Sequence, residues 1–191
     1  MVSDQASRAG RKPPERFPMT SPGKAVEIRV ATASDVEGIL ACLHSAFERY
    51  RREYTPSAYT ATVLTTPMAK RRVRSMTVLV GVDSKGRIIG TVAVKRSSPG
   101  HAHLRGMAVL PQYQGKGVAS ALLDAAIRHA QATGQSYVTL ETTEPLHRAT
   151  RFYLRHGFRK TGRYRQWGGM KLIGFERAIP GPAKPRRPSG R

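Results

Sequence analysis

One passage constrains the fold of this chain more than any other. It runs from Leu104 to Ala130, where the β-rich run LRGMAVL leads through PQYQGKG into the helix-periodic segment VASALLDAAIRHA. A strand, a glycine-rich turn and an apolar helix in that order build an anion site. Glycine lets the backbone approach a ligand closely, and the first N–H groups of the helix have no carbonyl partners of their own. The open question is whose phosphate such a loop holds: a nucleoside triphosphate's, a dinucleotide's, or that of another pyrophosphate carrier.

The flanking segments keep up the alternation of strand and helix. VEIRV (Val26–Val30) reads as a short strand. TASDVEGILACLHSAFERYRREY opens with Thr32 and Asp35 at capping-box spacing and places Ile39, Leu40, Leu43 and Phe47 on one helical face. A second helical stretch spans Ser57–Ser75, with a break expected at Pro67. MTVLVGVDSKGRIIGTVAVKR reads as a hairpin turning around Asp83–Gly86. After the glycine loop and its helix come the strand SYVTLETT, the helix PLHRATRFYLRHG and two strands around FRKTGRYR and GGMKLIGFERA. The order is β-α-α-β-β-β-α-β-α-β-β. It predicts an α/β protein, with one mixed (α+β) sheet whose central β-α-β step is parallel and right-handed. Residues 25–179 read as a single domain, flanked by basic tails at 1–24 and 180–191. The tails mix Pro, Ser, Gly and charge without periodicity and are expected to be disordered. Met19 is an alternative start within the first of them.

Two owners of the phosphate fit poorly. A Walker A loop ends in G-K-[ST], but Lys116 is followed by Gly117 and Val118, so no hydroxyl stands ready for magnesium. Gly115 to Ser120 reads G-x-G-x-x-S, and Glu141 ends the next strand, where a dinucleotide fold places its ribose-binding acid. Yet Pro111–Gln114 separate the strand from the first glycine, and the upstream hairpin and helices do not belong to a Rossmann repeat.

Charge and cysteine usage narrow the class further. Of the formal net charge of +21, the two tails hold +3 and +4, so +14 is spread over the domain itself. Such a field attracts anions of every kind, from nucleic acid to a polyphosphate cofactor. No recognised nucleic-acid motif accompanies it, so nucleic-acid binding is expected only as a nonspecific effect. The single cysteine, Cys42, excludes a disulfide framework and a Cys-rich metal site, and reads as a small buried hydrophobe. The N-terminal segment carries charge without an apolar core and no run approaches membrane-spanning length. A cytoplasmic protein without a membrane partner is therefore the expectation, either monomer or homodimer.

Taken together, LRGMAVLPQYQGKGVASALL and ATRFYLRHGF resemble the two central motifs of the GNAT superfamily of acyl-CoA-dependent N-acetyltransferases. Gln114, Gly117 and Ala119 fit its [QR]-x-x-G-x-[GA] pattern. Ala149, Phe152, Tyr153, Gly157 and Phe158 fit its A-x-x-[FL]-Y-x-x-x-G-F pattern. The element order is also similar to that fold across about residues 25–179. The resemblance implies a GNAT-like acyl-CoA N-acyltransferase fold, with acetyl-CoA as co-substrate and no metal. It implies that the backbone of Met107 and Val109, with Ala108 between them, pairs with the pantetheine arm. It further implies that Gln114, Gly115, Lys116, Gly117, Val118, Ala119 and Ser120 form the pyrophosphate clamp. One departure stands out: where the family often has an Asn that hydrogen-bonds the cofactor arm, this chain has Leu146.

The implied reaction moves an acetyl group to a primary amine by direct attack in a ternary complex. It needs a neutral amine, a stabilised oxyanion and a proton for the leaving thiolate. Tyr153 is the candidate acid. Glu141, twelve positions before it, is one candidate base, at a spacing similar to that of the family's ribosomal-protein N-terminal acetyltransferases. His103, on the preceding strand, is the other, with a side-chain pKa suited to the task. The resemblance implies a backbone N–H near Met107–Val109 as oxyanion donor, and Cys42 lies in the wrong element to carry an acyl group. It places the acceptor near Tyr50, Arg51, Tyr54, Tyr59 and Trp167. The domain's positive charge disfavours polyamines and other strongly cationic acceptors; amino acids, anionic metabolites or a protein N-terminus fit more easily. An acyl-CoA sensor without turnover, or a basic nucleic-acid-associated protein, are the alternatives.

Overall fold

The computed structural model describes residues 16–18 and 26–180. The expectations for the tails otherwise lie outside the described residues; within the first, Arg16–Pro18 form a short strand, β1. The domain then runs β2 (Glu27–Val30), α1 (Val36–Phe47), α2 (Pro56–Val63), α3 (Thr66–Ser75), β3 (Thr77–Val82) and β4 (Ile88–Ser98). It continues with β5 (His101–Val109), α4 (Val118–Ala132), β6 (Tyr137–Thr143), α5 (His147–Arg155), β7 (Arg159–Trp167) and β8 (Met170–Ala178). The second helical stretch is thus two helices. The break falls at Leu64, whose φ is +66°, and Pro67 sits in the first turn of α3, where its missing N–H costs nothing.

Local chemistry explains the boundaries. The Asp35 carboxylate accepts the Thr32 backbone N–H at 2.7 Å and both Arg29 Nη atoms at 2.8 Å, joining β2 to the turn that starts α1. The Arg29 guanidinium therefore holds the Asp35 carboxyl down at a pKa of about 2. At the β3–β4 turn, Asp83 Oδ1 accepts the N–H groups of Lys85 and Arg87 at 2.9 and 3.0 Å.

The eight described strands form one sheet in the order β1-β2-β3-β4-β5-β6-β8-β7. Neighbours are antiparallel except β5 and β6, which are parallel as expected from the β-α-β step. β3 and the first half of β4 are buried at successive positions, so helices cover both faces of the sheet. α4 packs on β3 and β4 so closely that a Cβ on Gly90 would lie 2.8 Å from Leu122. α1 packs on β4 and β5, with Gly38 against Ile88. Leu43, Leu79, Ile89, Leu122, Leu123 and Phe175 are among the fully buried side chains of the core. Among the described residues, no helix is long and apolar enough to cross a membrane.

The sheet parts in the middle. β5 pairs with β6 only from His101 to Leu104, against Tyr137 to Leu140. On its other edge, β5 carries one residue more than β4: Thr91 faces Ala108, whereas Ala93 faces Arg105. This bulge is centred on Gly106, whose φ of +59° suits glycine, and a bulge bends its strand. β6 meanwhile stays paired with β8 to its end. The second halves of β5 and β6 diverge, and cavities open where they separate.

Candidate active site

One cavity, of about 480 Å³, runs along the end of β5 and the glycine loop to the flank of α5. Met107, Ala108, Val109, Gln114, Gly115, Gly117, Ala119 and Ser120 all line it. Gly115 and Gly117 have φ of +76° and +80°, and a Cβ built on either would meet nothing within 4 Å. Gly117 is the N-cap of α4 and offers no side-chain cap, so the first N–H groups of that helix are left for an external anion. Gln114 does not point outward; its amide donates to the Val109 carbonyl at 3.0 Å and fastens the loop to the end of β5. Ser120 lies 3.1 Å from His156 Nε2, and His156 Nδ1 lies 2.8 Å from the Phe152 carbonyl. A carbonyl only accepts, so Nδ1 carries the proton and Nε2 accepts the Ser120 hydroxyl, tying α4 to α5.

Two clamp residues are placed differently. Neither the Lys116 nor the Val118 side chain lines the cavity. The Lys116 ammonium sits 5.7 Å over the Tyr113 ring, and Val118 is in the core against Gly81 and Gly90. Val118 therefore has only its backbone to offer an anion. Arg148 and Arg155, which sequence reading did not assign to this site, do line the cavity and add positive charge. Leu146 precedes α5, its N–H donating to the Thr143 carbonyl at 3.1 Å.

A second cavity, of about 140 Å³, opens between β5, the end of β6 and the β7–β8 turn. Tyr54, Arg72, His103, Arg105, Glu141, Arg165 and Trp167 are on its wall. The two cavities share Phe47, Met107, Leu146, Ala149 and Tyr153. Tyr153 is 7% exposed, and its hydroxyl donates to the Met107 sulfur at 3.2 Å. Burial pushes its pKa well above the ordinary 10, so the phenol keeps its proton throughout the physiological range.

The two candidate bases lie on the same cavity wall in unlike states. Glu141 is gripped by Arg165, with Nη2 to Oε2 at 2.7 Å and Nε to Oε1 at 3.2 Å. That pairing, ahead of any other influence, holds its carboxyl below the usual range. Arg165 reaches it across β8, where the residue opposite Glu141 is Gly174 and no side chain intervenes. Arg148, on α5, lines the other cavity. His103 is held below its usual pKa chiefly by burial, although Glu141 pulls the other way. Its Nδ1 lies 3.0 Å from Thr139 Oγ1, and that hydroxyl donates to the Ala102 carbonyl at 3.3 Å. With its single hydrogen so used, Thr139 accepts from Nδ1–H, which leaves the lone pair on His103 Nε2.

The expected acceptor residues divide. Tyr54 and Trp167 line the second cavity, and the Tyr54 hydroxyl bonds to the Thr143 hydroxyl. Tyr50 lines the first cavity. Arg51 and Tyr59 line neither and gather on Glu48, to which Tyr59 donates at 3.0 Å. Cys42 is 1% exposed on α1, and burial pushes its thiol up to about 12, so it behaves as the small hydrophobe expected. Arg72 was missed because it sits in the basic stretch KRRVR, which reads as a solvated face, and Arg105 because it is a lone arginine in the strand HAHLRGMAVL. For Arg72 a signal exists: it follows the buried Ala69 by three residues, on the inward side of α3.

A parted sheet, an uncapped glycine-lined helix start and a buried tyrosine where two cavities join define an acyl-transfer fold. The profile of the acetyltransferase (GNAT) family matches residues 41–158, and the chain belongs to that family. Its relatives include N-acetyltransferase 8B of Rattus norvegicus, 36% identical over 98 residues, which are 49% of this chain and 44% of that protein. The Mus musculus protein of the same name is 36% identical over 87 residues, 43% of this chain and 38% of that protein. Each match therefore spans less than half of the relative's length. Among solved structures, PaiA N-acetyltransferase from Thermoplasma acidophilum, in complex with coenzyme A, aligns with a TM-score of 0.69 at 16% identity, covering 81% of this chain and 99% of that one. A GNAT-family acetyltransferase from Staphylococcus aureus Mu50 aligns with a TM-score of 0.68 at 17% identity, over 81% and 99% of the two chains. At these identities the likeness establishes the fold.

Proposed function

We propose that this chain is an acetyl-CoA-dependent N-acetyltransferase acting on a primary amine, carried by a small metabolite, an amino acid or a protein N-terminus. The observation that carries this reading is the meeting of two differently built cavities at Tyr153. One is built for a phosphate-bearing donor; the other is a small pocket with an unprotonated nitrogen on its wall.

The residues of the first cavity suit coenzyme A. The uncapped start of α4, with Gly115 and Gly117 leaving open space, suits a pyrophosphate, and Arg148 and Arg155 supply countercharge. The edge of Met107–Val109 that faces away from β4 has no strand partner among the described residues, so its peptide groups are available to an extended arm. The PaiA relative's complex with coenzyme A supports this assignment. Bound acetyl-CoA supplies an activated thioester and a thiolate leaving group.

The chain's own groups then divide the proton traffic. His103 Nε2 accepts a proton from the acceptor amine, and its lowered pKa keeps the imidazole neutral for that task. Glu141, committed to Arg165, shapes the wall and its field. Tyr153 Oη holds a proton where the cavities join and can give it to a departing sulfur. Release of free thiol from acetyl-CoA, measured across a panel of amines, tests the reading. Amine-dependent release is expected, falling on the order of 100-fold or more in Tyr153→Phe. Absence of release with every amine, together with no calorimetric binding of acetyl-CoA, would refute it.

A further inference from the structure

The basic residues of α3 do not all behave alike. Lys70, Arg71 and Arg74 are exposed, whereas Arg72 is half-buried and turns toward the sheet. Its guanidinium rests on the bulge of β5, with Nη1 occupying the place a side chain on residue 106 would take: a Cβ on Gly106 would lie 2.2 Å away. The glycine that parts the sheet thus also makes room for this cation. Arg72 lines the second cavity, the one that contains Tyr153, His103 and Glu141.

Among the described residues the Arg72 guanidinium has no hydrogen bond and no ion pair; the backbone carbonyl of Arg72 accepts from the Met76 N–H. The one carboxylate on that wall, Glu141, is already held by Arg165. The neighbouring charge that acts on Arg72 is Arg105, of the same sign. Burial and Arg105 lower the Arg72 pKa to about 10, which still leaves it charged at neutral pH. A desolvated guanidinium without a counter-ion is costly, and the fork of its donors matches a carboxylate. Arg72 and Tyr153 stand on the wall of the same cavity, so an amine beside Tyr153 and a group on Arg72 can belong to one molecule.

We infer that Arg72 is a specificity-determining residue that receives the carboxylate of the acceptor, so that the acceptor is an amino acid whose amine and carboxylate lie close together. The inference rests on the N-acetyltransferase reading above and narrows its substrate class. Polyamines carry no group for Arg72 and meet Arg105 and Arg165 besides.

The test compares amino acids with their carboxamides, using phenylalanine and phenylalaninamide, and glutamate and its α-amide. The intrinsic difference in amine basicity is the same for every enzyme variant, so the change in the acid-to-amide ratio of kcat/KM between variants isolates the guanidinium. In Arg72→Gln this ratio is expected to fall ~10–100-fold, mainly through KM for the acid, with partial recovery in Arg72→Lys. Far-ultraviolet circular dichroism and acetyl-CoA calorimetry establish that each variant is folded. An unchanged ratio overturns the inference, as does an equal fall in kcat for acids and amides, which would make Arg72 a general oxyanion donor. Preferential turnover of peptide N-termini without dependence on Arg72 overturns it too. If no amine is turned over, calorimetric binding of N-acetylphenylalanine against its amide decides separately. An acid preference abolished in Arg72→Gln upholds the carboxylate site although the enzymatic reading fails; no preference overturns both.

Discussion

At the scale of single residues, the base and acid tasks proposed for His103 and Tyr153 call for opposite protonation states, and burial favours each of them. Burial depresses the His103 imidazole below 6.5, so its base form is present at neutral pH and is lost only as the solution becomes more acidic. The kcat/KM profile of the wild type should therefore show an acid limb below pH 6.5, over and above titration of the amine. His103→Gln should remove that limb and lower the rate on the order of 100-fold. Glu141→Gln should cost less than about tenfold, since its carboxylate is already engaged by Arg165. A larger loss in Glu141→Gln than in His103→Gln would reverse the assignment. Tyr153 and His103 were legible in the sequence because a motif or a strand position singled them out. Arg165 was not. Its grip on Glu141 exists because β8 inserts between β6 and β7 and offers Gly174 at the crossing, a relation set by strand order.

At the scale of elements, two glycines of positive φ should respond differently to alanine. At Gly117 the Cβ meets no protein atom but enters the space proposed for the pyrophosphate, so Gly117→Ala should cost backbone strain of about 1–2 kcal/mol and weaken acetyl-CoA binding. At Gly106 the same strain is joined by a clash with the Arg72 guanidinium. Gly106→Ala should therefore also raise the acceptor KM, while leaving the dissociation constant of acetyl-CoA closer to wild type; thermal unfolding and calorimetry separate the two effects. The Asp35 cluster allows a third measurement. Its folded pKa of about 2 lies below the ordinary 3.8, so its stabilisation is present above pH 4 and fades as pH falls toward 2. Asp35→Asn should cost about 2 kcal/mol at pH 7 and almost nothing at pH 2, read from denaturant titrations. Periodicity and capping residues made the helices and hairpin readable. The bulge at Gly106 was not readable, because one glycine inside a strand signals equally a bulge, a close contact or nothing.

For the whole molecule, charge is distributed rather than aimed. The edge strand β7 is exposed along nearly its whole length and carries Arg159, Lys160, Arg163 and Arg165, which discourages pairing with another sheet edge. A net charge of +21 will attract polyanions regardless of sequence. Binding to duplex DNA or RNA, measured by fluorescence anisotropy, should be weak and should fall steeply between about 50 and 200 mM salt, without preference among sequences. Sequence-selective binding that persisted at the higher salt would require a nucleic-acid role. The parting of β5 from β6 has a consequence for rate laws as well. Because the two cavities share only a short wall around Tyr153, neither substrate has to vacate space for the other. Double-reciprocal plots at several fixed acceptor concentrations should therefore intersect rather than run parallel, and a surplus of acceptor should not compete with acetyl-CoA. A one-residue bulge in a single strand would then be visible in a beaker as a set of crossing lines.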